Sequence, residues 1–146
     1  IEICESLISS SSEFTENSID VFMRTGIDPF EIRASFYENS GMFGQAADIY
    51  EKAAKTVPFN KAVYYKKLGI NLIKQGKLNE AIDALQSSTG LDLMDFDAHY
   101  QLAAAYESAG RISEAIEEYK QCLKYTGGST RGLPIDEVKK KIKELE

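Results

Sequence analysis

The stretch GKLNEAI at residues 76–82 returns thirty-four positions later as GRISEAI at 110–116. Each copy holds a glycine, a base, an aliphatic residue, a small polar residue and then Glu-Ala-Ile. Self-similarity at a period of about 20–50 residues restricts a chain to stacked supersecondary units, because one unit cannot bury its apolar face alone. Gly41, Gly76 and Gly110 stand 35 and 34 residues apart, and Ala46, Ala81 and Ala115 keep the same intervals. The looser GMFGQAA at 41–47 is read as a third copy. Three units follow, at 27–60, 62–95 and 96–129, with Lys61 inserted between the first two.

Bulky and small residues recur at fixed places in these units. Position 4 holds Phe30, Tyr65 and, as the exception, His99; position 8 is small (Ala34, Gly69, Ala103); position 11 is bulky (Tyr37, Leu72, Tyr106). Beyond the glycine come alanine at position 20, Tyr50, Leu85 and Tyr119 at 24, and Ala53, Ser88 and Cys122 at 27. Both halves of a unit have helical rhythm, as in His99, Leu102, Ala103 and Tyr106 at i, i+3, i+4 and i+7. Asp28-Pro29 reads as an N-cap followed by a first-turn proline. The three aligned glycines stand where a helix end needs positive φ. Asn79 and Ser113 are expected to cap the second helices, with Glu80 and Glu114 in the first turn. A helix of about 12–15 residues is marginal alone in water, so such hairpins gain stability by stacking. The expected fold is all-α: antiparallel helix hairpins in which small residues let backbones approach and large ones fill the gaps.

The ends carry different patterns. Residues 1–26 leave the repeat register, with apolar Ile1, Ile3, Cys4, Leu7 and Ile8, a serine run at 9–12 expected to break the helix, and then Phe14, Ile19, Phe22 and Met23. They are expected to form a degenerate helical cap. Residues 130–146 are expected to be a linker and a capping helix, with Ile135, Val138, Ile142 and Leu145 along one face. The run Lys139-Lys140-Lys141 is interspersed with Glu137, Glu144 and Glu146 and reads as a solvated helix face. A net charge of −6 over 146 residues argues against general affinity for nucleic acid or anionic lipid, and no apolar run is long enough to span a membrane. The chain begins with Ile and shows no secretory signal, so the expectation is a piece of a longer, cytoplasmic protein.

The offsets of aromatic, Leu-Gly or a small variant, Tyr, Ala, Tyr, Ala and Pro resemble the tetratricopeptide repeat. Unit 27–60 shows Phe30, Ala34, Tyr37, Ala46, Tyr50, Ala53 and Pro58, departing at Arg33 where Leu is usual. Unit 62–95 has Tyr65, Leu68-Gly69, Ala81 and Leu85 but ends in Leu93 instead of Pro. Unit 96–129 has Leu102-Ala103, Tyr106, Ala115 and Tyr119, with Gly127 in the proline slot. The resemblance implies a right-handed superhelix of three units whose first helices line a concave groove through positions 2, 5, 9, 12 and 13. Those positions hold Asp28, Glu31, Ser35, Glu38 and Asn39; Val63, Lys66, Ile70, Ile73 and Lys74; and Asp97, Tyr100, Ala104, Glu107 and Ser108. Ile70, Ile73 and Tyr100 are expected to form an apolar centre within an acidic rim. Family members that grip acidic chaperone tails need Lys, Asn and Arg at set positions, where this chain offers Glu31, Ser35, Lys67, Asp97 and Gln101. The expected partner is therefore an apolar or mildly basic peptide or helix.

A catalytic constellation is not visible. His99 falls on the stacking stripe without metal-ligand company, Cys122 on the small-residue stripe, and Glu117 and Glu118 diverge on a helix. GGSTRG has the wrong spacing for a phosphate loop. The chain is expected to be a non-catalytic protein-interaction module needing no cofactor or metal. The alternative is an appendage of a larger enzyme, such as a glycosyltransferase, that dimerises or positions substrate.

Overall fold

The computed structural model describes residues 11–125 and 132–146, with side chains from Asn17 onward. Among the described residues there are eight α-helices and no strands: α1 (Ser11–Thr25), α2 (Pro29–Asn39), α3 (Phe43–Thr56), α4 (Lys61–Lys74), α5 (Leu78–Leu91), α6 (Phe96–Ser108), α7 (Ile112–Lys124) and α8 (Ile135–Leu145). From α2 to α8 each helix packs on its neighbour in chain order, forming an all-α repeat superhelix. The first helix begins inside the serine run that was expected to break it; the expected apolar residues at 1–8 lie outside the described residues, as do residues 126–131.

The same turn closes each hairpin. Gly41, Gly76 and Gly110 have φ of 72°, 77° and 75°. The amide after each glycine donates back to position 11: Met42 to Tyr37 O, Lys77 to Leu72 O and Arg111 to Tyr106 O, at 2.8, 3.0 and 2.9 Å. With the glycine amides bonding Glu38 O, Ile73 O and Glu107 O, these are Schellman ends that satisfy the last carbonyls of the first helix. Because one residue separates the glycine from the next helix, α5 and α7 start at Leu78 and Ile112. Asn79 and Ser113 therefore lie inside the first turn and do not cap; Lys77 and Arg111 hold the N-cap position without a side-chain bond. The side-chain caps precede two of the first helices, α2 and α6, whereas Asn60 before α4 makes no such bond. Asp28 accepts from Phe30 N and Glu31 N ahead of Pro29, and Asp95 accepts from Ala98 N.

The core follows the small and large positions. Ala34, Ala46, Ala53, Ala81, Ala103, Ala115 and Cys122 are fully buried, as are Tyr50, Leu85 and Tyr119 between them. At position 27 the small residue also ties its helix to the partner: Ser88 Oγ donates to Ala62 O at 2.7 Å, and Cys122 Sγ lies 3.6 Å from Phe96 O. Burial, with Glu118 nearby, pushes the Cys122 thiol up to about 12, so it is a protonated spacer. Position 4 departs from the expected pattern in the second unit. Tyr64 is buried there and Tyr65 only half-buried, because the Tyr64 hydroxyl reaches Asp28 Oδ2 at 2.7 Å and its ring meets Phe30 edge-on. At the far end Val138 is buried, and Ile142 and Leu145 cover the cluster around Tyr119 and Cys122. At the near end α1 leans on the array through Ile19 and through Phe22, whose ring stacks on Phe59 at 4.2 Å.

Candidate functional site

The polar residues assigned to the groove form a ladder between successive first helices. Glu31 of α2 lies 4.0 Å from Lys67 of α4, and Glu38 accepts from Asn71 Nδ2 at 2.7 Å. Lys66 of α4 bridges to Asp95 Oδ2 at 2.7 Å and to Asp97 at 3.7 Å at the start of α6. From α6 to α8, Tyr100 Oη donates to Glu137 Oε1 at 2.9 Å and Lys141 Nζ donates to Glu107 Oε1 at 3.1 Å. Glu107 also accepts from Tyr119 Oη at 2.9 Å; burial first, then this bond, pushes the Tyr119 phenol up. Most of the acidic rim read from the sequence is thus engaged by the neighbouring hairpin. Lys74 lies over the Phe43 ring at 4.8 Å, so both groove lysines have internal partners.

The apolar centre is also redistributed. Ile73 packs against both core clusters, so it belongs to the stack. Tyr100 is stacked beside Phe96 and held by α8. Ile70 and Ala104 are half-buried, and Val63 is exposed. The largest apolar exposure on the first helices lies instead on α2, where Ile32 and Phe36 are 61% and 58% exposed. With Asp28, Glu31, Ser35 and Asn39 they line an open depression. These two residues occupy unit positions 6 and 10, where the second unit carries Lys67 and Asn71, bonded to the preceding hairpin. Apolar residues at two positions that are polar in the next unit were a signal available in the sequence.

At the positions where an acidic tail would need a cluster of cations, Glu31 and Asp97 are acidic and Lys67 is drawn toward Glu31. Gln101 Nε2 donates to Asp97 Oδ1 at 3.5 Å. Among the described residues no group of three or more His, Cys, Asp or Glu could hold a metal ion, and no helix is long and apolar enough to cross a membrane.

Residues 66–124 match the family model of the tetratricopeptide repeat. No curated protein matches the chain in sequence. Among solved structures, the chain is similar to PcrH from Pseudomonas aeruginosa, with a TM-score of 0.72 at 11% identity over 80% of this chain and 88% of that one. It is similar to the type III secretion translocator chaperone SycD of Yersinia enterocolitica, with a TM-score of 0.70 at 14% identity over 95% of this chain and 88% of the other. The second repeat domain of human RPAP3, in complex with an HSP70 peptide, gives a TM-score of 0.68 at 16% identity over 80% and 91% of the two chains. At these identities the likeness to the solved structures establishes the fold.

Proposed function

We propose that this chain, a member of the tetratricopeptide-repeat family, is a non-catalytic module that holds a partner peptide or helix along the concave face of α2, α4 and α6. The division into a cap at 1–26, three repeats at 27–129 and a linker with capping helix at 130–146 belongs to the same proposal. The observation that carries it is the exposure of Ile32 and Phe36, with Val63 and half-buried Ile70, on first helices whose polar side chains already hold neighbouring hairpins in place. A surface locked by such a ladder is preformed, so a ligand loses less free energy to ordering it. Its open residues are aliphatic and aromatic, and its carboxylates, though engaged internally, outnumber its lysines, which favours an apolar or mildly basic segment. The RPAP3 domain held with an HSP70 peptide supports peptide capture by this architecture. Here the cations that an acidic peptide end would need are missing or paired internally.

A peptide library displayed on phage and selected on the wild-type chain tests this reading. Enriched sequences are expected to combine aliphatic or aromatic residues with Lys or Arg. They are expected to lose binding to the double variant Phe36→Glu, Ile70→Glu while its helical melt is unchanged. Equal binding to the double variant would remove the groove from the proposal.

A further inference from the structure

The array has a second concavity, on another face of α4. Tyr65, Leu68 and Leu72 recur at i, i+3 and i+7 on one face of that helix, about a third of a turn away from Lys66, Ile70 and Ile73. Helices α3 and α5 both pack on α4 rather than on each other. The space between them is a cleft of about 530 Å³, floored by half-buried Tyr65 and by the edges of Leu68 and Leu72, each 7% exposed. This is within the size range of sites that enclose side chains or small ligands. Its walls carry Asp48 and Glu51 from α3 and Glu80 and Asp83 from α5, against a single lysine, Lys77. Glu51 is held by Lys55 at 2.8 Å. Asp48, Glu80 and Asp83 are exposed and form no ion pair among the described residues.

The next gap along the array shows how this chain fills such a space with its own side chains. Between α5 and α7, Arg111 lies over the Tyr106 ring at 4.7 Å and pairs with Glu114 at 2.9 Å. Gln86 donates to Tyr106 Oη at 2.6 Å, and Glu118 holds His99. By repeat position, Glu114 corresponds to Glu80, Tyr106 to Leu72 and Arg111 to the shorter-headed Lys77. The first gap keeps the carboxylate and the apolar floor but has no guanidinium laid across them.

We infer that the α3–α5 cleft is a second binding surface, separate from the groove, that takes a basic segment of a partner protein. An arginine or lysine side chain matches both of its parts. The aliphatic stem lies on Leu68 and Leu72, and the cationic head reaches Asp48, Glu80 and Asp83. Tyr65 adds an aromatic ring to the same floor, and a cation binds favourably over such a ring. Carboxylates facing one another from two walls repel until a cation enters, which favours basic over neutral ligands.

The probe is the blocked pentapeptide acetyl-Arg-Leu-Arg-Leu-Arg-amide, titrated into the full chain and followed by two-dimensional ¹⁵N NMR. Binding is expected to shift the amides of Tyr65, Leu68 and Asp83 and to weaken as salt is raised. The citrulline version of the peptide is expected to bind roughly tenfold more weakly, as is the native peptide to Asp48→Asn, Asp83→Asn, whose surface substitutions leave the melting temperature in place. The groove variant Ile70→Glu is expected to bind it normally, so failure here and failure of the groove are separable. No binding, equal affinity for the citrulline peptide, or shifts confined to the Val63 and Ile70 face would each overturn the assignment.

Discussion

Leu85 lies directly on the backbone of Gly69: a Cβ built on that glycine would stand 2.5 Å from Leu85 Cγ and 2.9 Å from Cδ2. Leu85 is fully buried at the centre of α5, so it has nowhere to move. This contact limits how closely α4 and α5 approach, and it explains why position 8 of the second unit is a glycine.

The substitution Gly69→Ala is expected to destabilise the chain. Overpacking costs about 1–3 kcal/mol, while the gain in helix propensity is about 1 kcal/mol. Gly90 is the control. It lies in α5, exposed, with nothing within 4 Å of an added Cβ, so Gly90→Ala is expected to stabilise by about 0.5–1 kcal/mol. Urea midpoints measured on both variants decide the matter, and shifts of the same sign would contradict the proposed contact.

Stability is expected to depend on the protonation of His99. Its Nδ1 lies 2.7 Å from Glu118 Oε2 and its Nε2 3.1 Å from Leu93 O, and both partners are acceptors. Only the imidazolium supplies both protons. The Glu118 bond raises the pKa above the ordinary 6.5 against the opposing effect of burial, with Leu93 O and the charge of Asp95 adding to it. A group whose folded pKa is raised contributes fully below its unfolded value. The contribution is then lost as pH climbs through the folded one. Urea midpoints of the wild type should therefore fall as pH rises above about 6.5, and His99→Gln should flatten that part of the profile. Parallel profiles for the two proteins would exclude this role for the histidine.

Asp28 serves two purposes, capping α2 with Oδ1 and accepting the Tyr64 hydroxyl on Oδ2. Asp28→Ala is expected to cost about 1–2 kcal/mol for the cap and about 1 kcal/mol more for the phenol left without its partner. Tyr64→Phe removes the second contribution alone. In a double-mutant cycle the pair should couple by at least 0.5 kcal/mol or so. Strict additivity in thermal melts would show that the long-range bond does not hold α2 to α4.

Much of the hairpin architecture was legible because its causes are local or periodic. Gly41, Gly76 and Gly110 announced left-handed helix ends, and Asp28-Pro29 announced a capped start. The caps assigned to Asn79 and Ser113 failed because the Schellman turn delivers the chain into the next helix sooner than capping chemistry alone suggests. The groove was only partly legible. Its positions could be enumerated, but Tyr100 and Glu107 are engaged by Glu137 and Lys141, thirty-seven and thirty-four residues onward. Ile32 and Phe36 were legible only by comparison with Lys67 and Asn71 at the same positions of the next unit, and how far they are exposed depends on what the neighbouring helices leave uncovered.

The sequence by itself determined that this chain is a stack of helix hairpins, since period, turn chemistry and residue size repeat within each unit and need no knowledge of distance. Only the tertiary structure decided which charges of the first helices face one another, that Tyr64 rather than Tyr65 enters the core, and that α3 and α5 stand apart over an apolar floor. Those outcomes depend on the rotation and spacing of packed helices. They arise from the fit of side chains such as Leu85 against Gly69, and small differences in that fit decide which surface closes and which stays open.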